Sequence, residues 1–232
     1  GLAALGLWMG ASGAPAEAPT ALGLAGLAGI ALALGAWAFA DRRSALTVLL
    51  LLLLGLVGAQ DFLRDGIARS HDLPAHTWAA YATWRSVLDG DPWPRWIPYL
   101  GFGMPLLQFY GPIPWVLTWP AQALGLSPVD AVKAGMVLSQ MGAALSGYVA
   151  CRWLGRSRPA ALLGATALVL APYHLLQTSY RLAYAEAWAL VLLPLTLAAA
   201  VRVARGDRGF LWRLAGLGVA LLLTHPVSVV LL

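Results

Sequence analysis

Long apolar runs separated by short charged turns set the pattern of this chain. A membrane span needs about 20 mainly apolar residues. Residues 20–40, 44–60, 131–151, 159–176 and 182–201 each come near that length, and a sixth run begins near Phe210 and continues to 232. None shows the short polar and apolar alternation of an outer-membrane barrel strand, and lipid cannot satisfy bare backbone N–H and C=O groups. Helices are therefore predicted throughout. The fold class is all-α: a polytopic transmembrane helical bundle, one incomplete transmembrane domain over residues 1–232, with a long outer loop at 61–130 carrying amphipathic, interfacial helices.

Residues 105–126 are the ambiguous stretch. PLLQFYGPIPWVLTWPAQALGL is apolar enough to cross a bilayer, but Pro105, Pro112, Pro114 and Pro120 would break a lipid-facing helix repeatedly. The arginines arbitrate, because basic residues favour the cytoplasmic side. With this stretch at the surface, Arg42 and Arg43, the group Arg152, Arg156 and Arg158, and the group Arg202, Arg205, Arg208 and Arg213 all share one side. With it spanning, the last two groups part from the first. The stretch therefore reads as interfacial or re-entrant. That topology puts the 61–130 loop and the short 177–181 loop outside the cytoplasm, in a multi-pass protein of a bacterial-type plasma membrane. Trp78, Trp84, Trp93, Trp96, Trp115 and Trp119 suit the headgroup region.

Composition agrees: of 232 residues, 60% are hydrophobic and 11% charged, against roughly 25% charged in a soluble domain. A net charge of +5 would suggest nucleic acid for a soluble protein. Here the arginines orient the spans, and the partner implied is the lipid bilayer, with no nucleic acid. The lone Cys151 excludes an internal disulfide framework, and no cysteine or histidine cluster points to a structural metal. No cofactor is predicted, and a divalent cation finds no support. The chain opens on Gly1 and stops inside an apolar run, so it reads as a piece of a longer protein, with GLAALGLWMG as the tail of a preceding span.

Candidate chemistry gathers in residues 61–106 of the outer loop, which hold five of the eight aspartates. Asp72 and His76 stand four apart in HDLPAHTW. A helix starting at Pro74 would put Asp72 at or near its N-cap with His76 within a turn. The carboxylate could then take a proton from a substrate hydroxyl with the imidazole assisting, or the two could simply be a helix cap and an interface residue. Asp61, Arg64, Asp65 and Arg69 read as a solvated exit from the membrane. Asp89 and Asp91 around Gly90 read as a helix stop and turn, with too few oxygens for a hard cation.

Arg181 and Glu186 form the second candidate. Arg181 is a lone arginine on the arginine-poor face, and Glu186 enters the run AEAWALVLLPL, where an unpaired carboxylate is costly. Pairing them would ease that cost, although five residues is an awkward helical spacing. A snorkelling anchor and a binder of lipid phosphate or polar substrate are the other readings of Arg181. Tyr173, His174 and Tyr180 add hydrogen-bonding edges near the same face, each most simply an interfacial aromatic. His225-Pro226 reads as an outer-edge break in the last span.

Together these pieces resemble the GT-C superfamily of polytopic membrane glycosyltransferases, most closely the bacterial YfhO-like membrane proteins. The resemblance runs from about Ser44 to Leu232. It is carried by Asp72 and His76 in DLPAHTW, Gly90 to Trp96 in GDPWPRW, Gly101 to Pro105 in GFGMP, Phe109 to Pro114 in FYGPIP, Pro172 to His174, Arg181 with Glu186, and Thr224 to Pro226. It implies a polyprenyl-phosphate-linked sugar donor and a glycan, lipid or protein acceptor in the cell envelope. Asp72 would be the general base and His76 its orienting partner. Arg181 would neutralise the leaving phosphate, with Glu186, Tyr180, His174 and Tyr110 as further substrate-binding residues. The chain departs from members with paired acids in the first outer loop, since no second acid stands beside Asp72. Similar chains also carry the label 6-pyruvoyl-tetrahydropterin synthase-related, but His71, His76, His174 and His225 are too scattered for a three-histidine zinc site, and no pterin chemistry is expected. The alternatives are a lipid-linked sugar transporter or flippase, and a non-catalytic envelope-glycan binding or assembly factor. The spans hold little that is polar beyond Ser139, Gln140 and Ser146, which argues for chemistry at the outer surface over passage through the core.

Overall fold

The computed structural model describes residues 42–63, 70–98 and 102–230, and every regular element among them is helical. The span expected at 20–40 lies outside the described residues, as do Arg64, Asp65, Arg69 and Gly101. The helices are α1 (Arg42–Gly58), α2 (Leu73–Leu88), α3 (Leu106–Phe109), α4 (Ile113–Val116), α5 (Trp119–Ala123), α6 (Pro128–Trp153), α7 (Arg158–Val169), α8 (Pro172–Leu175), α9 (Tyr184–Ala204), α10 (Leu211–Thr224) and α11 (Pro226–Val230). A π-helical turn, Leu176–Arg181, continues α8.

Local sequence explains where these helices start and stop. Ser127 and Ser157 cap α6 and α7, each hydroxyl accepting a backbone N–H three residues on, and Pro128 and Pro159 fill first-turn positions that need no N–H partner. Gly155 and Gly206 follow α6 and α9 with φ of +77° and +88°, a left-handed turn that glycine adopts without strain. The prolines that made 105–126 ambiguous divide it into α3, α4 and α5, none longer than five residues. The run expected at 159–176 is also divided: α7 ends at Val169 and α8 begins at Pro172, which cannot continue the hydrogen-bond ladder.

Among the described residues two helices, α6 and α9, are long and apolar enough to cross a membrane, and a third is added if α7 and the Pro172–Arg181 segment, bent by 44°, count as one. The apolar α1 has 17 residues, about 25 Å at 1.5 Å per residue and so a little short of a hydrocarbon core of roughly 30 Å.

The bundle is organised around α6. Gly55 of α1 lies so near its backbone that an added Cβ would sit 2.5 Å from Met141 Cα. Gly58 faces Gln140, so α1 ends level with the middle of α6. The first half of α6 projects past α1, and α2 fills the space beside it: Leu73, Ala79 and Ala80 share a buried cluster with Val132 and Met136. Gln122 ties α5 to α2 by donating to the Ala80 carbonyl at 3.2 Å. On the other flank α9 runs parallel to α6, Tyr184 lying over Gly135, Val191 over Gly142, and Arg202 donating to the Trp153 carbonyl at 3.3 Å.

Candidate functional site

Pro74 in the first turn of α2 leaves Asp72 at its N-cap position, as the spacing predicts. Its carboxylate makes no capping bond there. It turns outward to Arg181, Oδ2 to Nε at 2.8 Å, while the Asp72 backbone N–H donates to the Arg181 carbonyl at 3.1 Å. Two bonds therefore hold the start of α2 against the turn before α9, joining residues far apart in the chain.

That turn also resolves the awkward spacing of Arg181 and Glu186. The π-helical turn ends at Arg181, Leu182 takes a left-handed conformation with φ 58°, and the Ala183 N–H donates to the Gln177 carbonyl at 2.9 Å. The chain thus reverses before α9 begins, and Glu186 in its first turn reaches Arg181 Nη1 at 3.3 Å. The same Nη1 donates to Gln177 Oε1 at 3.1 Å. Tyr173 donates its hydroxyl to Glu186 Oε1 at 2.5 Å. One guanidinium is shared by two carboxylates, Asp72 from the start of α2 and Glu186 from the first turn of α9. Side-chain exposure grades from 13% for Glu186 through 30% for Asp72 to 48% for Arg181. Glu186, the least exposed of the three, keeps two partners, while Arg181 faces outward with Nη2 uncommitted among the described residues. Tyr180 is exposed beside it, its ring 5.6 Å from that of His71.

His76 and Tyr110 belong to a second layer beneath this ion-pair cluster. His76 is buried, its ring 5.6 Å from Trp115, 6.1 Å from Tyr110 and 6.3 Å from Tyr184. Burial depresses its pKa to about 4, the positive charge of Arg181 and a neighbouring His225 adding to the effect and Asp72 opposing it. The imidazole is therefore neutral near pH 7 and packs among rings under the carboxylate. Tyr110 also approaches His225, 6.4 Å between rings, where α10 ends and α11 restarts after the expected His225-Pro226 break.

His174 lies apart from both layers. Its Nε2 bonds Gln140 Oε1 at 2.8 Å, and both side chains are buried in the bundle. His174 Nδ1, Gln140 Nε2 and Trp115 Nε1 have no hydrogen-bond partner among the described residues. Gln177 and Tyr184 are site residues that the sequence did not single out, whereas Tyr173 is marked there as a hydrogen-bonding edge near this face. Gln177 carried a usable signal, its helical spacing from Arg181; Tyr184 carried none.

Chemically, the cluster offers a carboxylate with one oxygen engaged by a guanidinium and a guanidinium with donors to spare. It can accept a hydroxyl proton and hold an anion side by side. Among the described residues no group of three or more His, Cys, Asp or Glu converges on a point, and a cation near Asp72 and Glu186 would meet the charge of Arg181 already between them. No protein-family model, curated protein or solved structure matches this chain.

Proposed function

We propose that this chain is an integral membrane glycosyltransferase of the GT-C kind, moving a sugar from a polyprenyl-phosphate donor to a cell-envelope acceptor on the non-cytoplasmic face. The observation that carries the reading is the Asp72–Arg181–Glu186 cluster, half-exposed at the end of the bundle where α2 docks. In this scheme the bundle has spans at 20–40, 44–60, 131–151, 159–176, 182–201 and from 210 onward, and the basic turns lie inside. Asp72 takes the proton of the acceptor hydroxyl, and the acceptor oxygen bonds to the anomeric carbon. The bond from that carbon to the donor phosphate breaks, its electron pair leaving with the phosphate, whose charge Arg181 stabilises. Glu186, itself held by Tyr173, keeps Arg181 aimed. His76 supports Asp72 from below through packing.

A transporter or flippase for the same lipid-linked sugar is the second reading, favoured by the buried Gln140–His174 pair, since transport sites place polar groups inside the bundle. The deciding experiment uses the full-length protein in its own host: a deletion strain complemented with wild type, Asp72→Asn or Gln140→Leu at matched membrane levels, scored for envelope glycan and polyprenyl-linked sugar. Loss of the glycan with donor accumulating in Asp72→Asn alone supports transfer. Full restoration by Asp72→Asn with failure of Gln140→Leu moves the assignment to transport. Restoration by both leaves the glycan-binding and assembly reading.

A further inference from the structure

The opposite end of the bundle carries a concentration of charge that sugar transfer does not use. Two turns meet there, one between α6 and α7 and one between α9 and α10. Arg202 donates to the Trp153 carbonyl at 3.3 Å, and the Trp153 ring stands edge-on to Phe210 at 5.2 Å. Phe210 is itself covered by the guanidinium groups of Arg202 and Arg213, at 5.0 and 4.7 Å from its centroid. These contacts lock the two turns into one surface.

Arg152, Arg156 and Arg158 sit on the first turn, and Arg202, Arg205, Arg208 and Arg213 on the second. Asp207 is the one acidic side chain there among the described residues. It is already engaged by Arg202 Nε at 3.0 Å and by the Gly209 N–H at 3.1 Å. Arg156, Arg158, Arg205 and Arg208 are exposed and form no ion pair among the described residues. So many like charges in one place repel one another and favour a bound anion. Beside them the surface turns apolar: Trp212 is 87% exposed and Leu211 47%. A soluble acidic partner would match the arginines and leave Trp212 bare in water. A phospholipid matches both, its phosphate lying against guanidinium forks and its acyl chains against Trp212 and Leu211.

We propose that the α6–α7 and α9–α10 turns together form a docking surface for anionic phospholipid head groups. The proposal stands independently of the transferase reading. Its test uses the full-length protein purified in a neutral detergent, with phosphatidylglycerol or phosphatidylcholine of identical acyl chains added and bound lipid counted by native mass spectrometry at low ionic strength. Phosphatidylglycerol is expected to be retained preferentially. Its affinity is expected to fall about fivefold for each arginine removed among Arg156→Gln, Arg158→Gln, Arg205→Gln and Arg208→Gln. Equal retention of the two lipids, or undiminished phosphatidylglycerol binding by the quadruple variant, overturns it. Displacement of the lipid by an equal concentration of glycerol phosphate overturns it in favour of a free-anion site. Should the quadruple variant fail to fold, Trp212→Gln carries the test: retained phosphatidylglycerol should drop, and an unchanged level would remove the lipid from the assignment.

Discussion

Arg181 is the residue on which the outer site turns, because three side chains are placed by it. Its Nε holds Asp72 and its Nη1 holds both Gln177 and Glu186, a division of labour that a planar, forked cation allows and a lysine ammonium does not. His76, one helical turn along α2 from Asp72, works by a different principle. Burial keeps its imidazole from charging until the pH falls to about 4, whereas an unfolded chain takes up the same proton near pH 6.5. Between those values the unfolded state binds more protons than the native one, so stability falls as the pH drops from 6.5 to 4 and is unaffected above. The whole loss is about 3 kcal/mol. Thermal unfolding midpoints in detergent between pH 4 and 7.5 should show this slope in wild type and a shallower one in His76→Asn. Parallel slopes would mean that His76 charges freely in the folded protein.

At the scale of elements, close approach of α9 to α6 depends on Gly135. An added Cβ there would overlap the Tyr184 hydroxyl, which is fully buried, so neither group has room to yield. Gly135→Ala should cost about 1–3 kcal/mol, and because Tyr184 Cε2 and Cζ would also lie 2.7 and 2.8 Å from the new Cβ, only truncation of the ring, Tyr184→Leu, should make the loss in the double variant less than additive. Additive losses in the double variant, measured by thermal unfolding, would show that the two residues do not meet. Elements of this kind were readable to different depths. The runs 44–60, 131–151 and 182–201 match α1, α6 and α9 to within a few residues, because length and apolarity settle them. The prolines likewise announced that 105–126 is broken. Hidden were the events that depend on distant partners. Leucine is a poor left-handed residue, so nothing marked Leu182 as the reversal that brings Glu186 to Arg181. His174 read as one more outer edge, yet the bend after α7 turns it in to Gln140 at the middle of α6. Asp72 and Arg181 were each visible as charges out of place. Their meeting had no local pattern to betray it.

For the molecule as a whole, two contacts bear on how many crossings the bundle would make in a bilayer. The Asp72–Arg181 pair fixes the turn before α9 at the end where α2 docks, and the Arg202 bond to Trp153 fixes the turn after α9 level with the end of α6. Since α6 and α9 run parallel, the segment between them must return the full length of the bundle. If α6 and α9 both cross a membrane, the bent pair of α7 with residues 172–181 is expected to make a crossing of its own, and a re-entrant loop is the alternative. On that count three crossings would separate Asp91 from Arg205 and put the two positions on opposite sides of the membrane. Two crossings would put them on the same side. Cysteine labelling separates these outcomes. Cys151 is the lone native thiol, packed close to Gly164, and Cys151→Ala gives a background in which Asp91→Cys and Arg205→Cys can be compared. A membrane-impermeant maleimide should label Asp91→Cys in intact cells and Arg205→Cys only after permeabilisation, as expected if the arginine-rich turns face the cytoplasm. Labelling of both in intact cells would make α7 and α8 re-entrant and would separate the Arg202–Trp153 contact from the membrane-embedded fold. Labelling of Arg205→Cys alone would keep three crossings but invert the molecule, placing Asp72 and Arg181 on the cytoplasmic side and their chemistry with them.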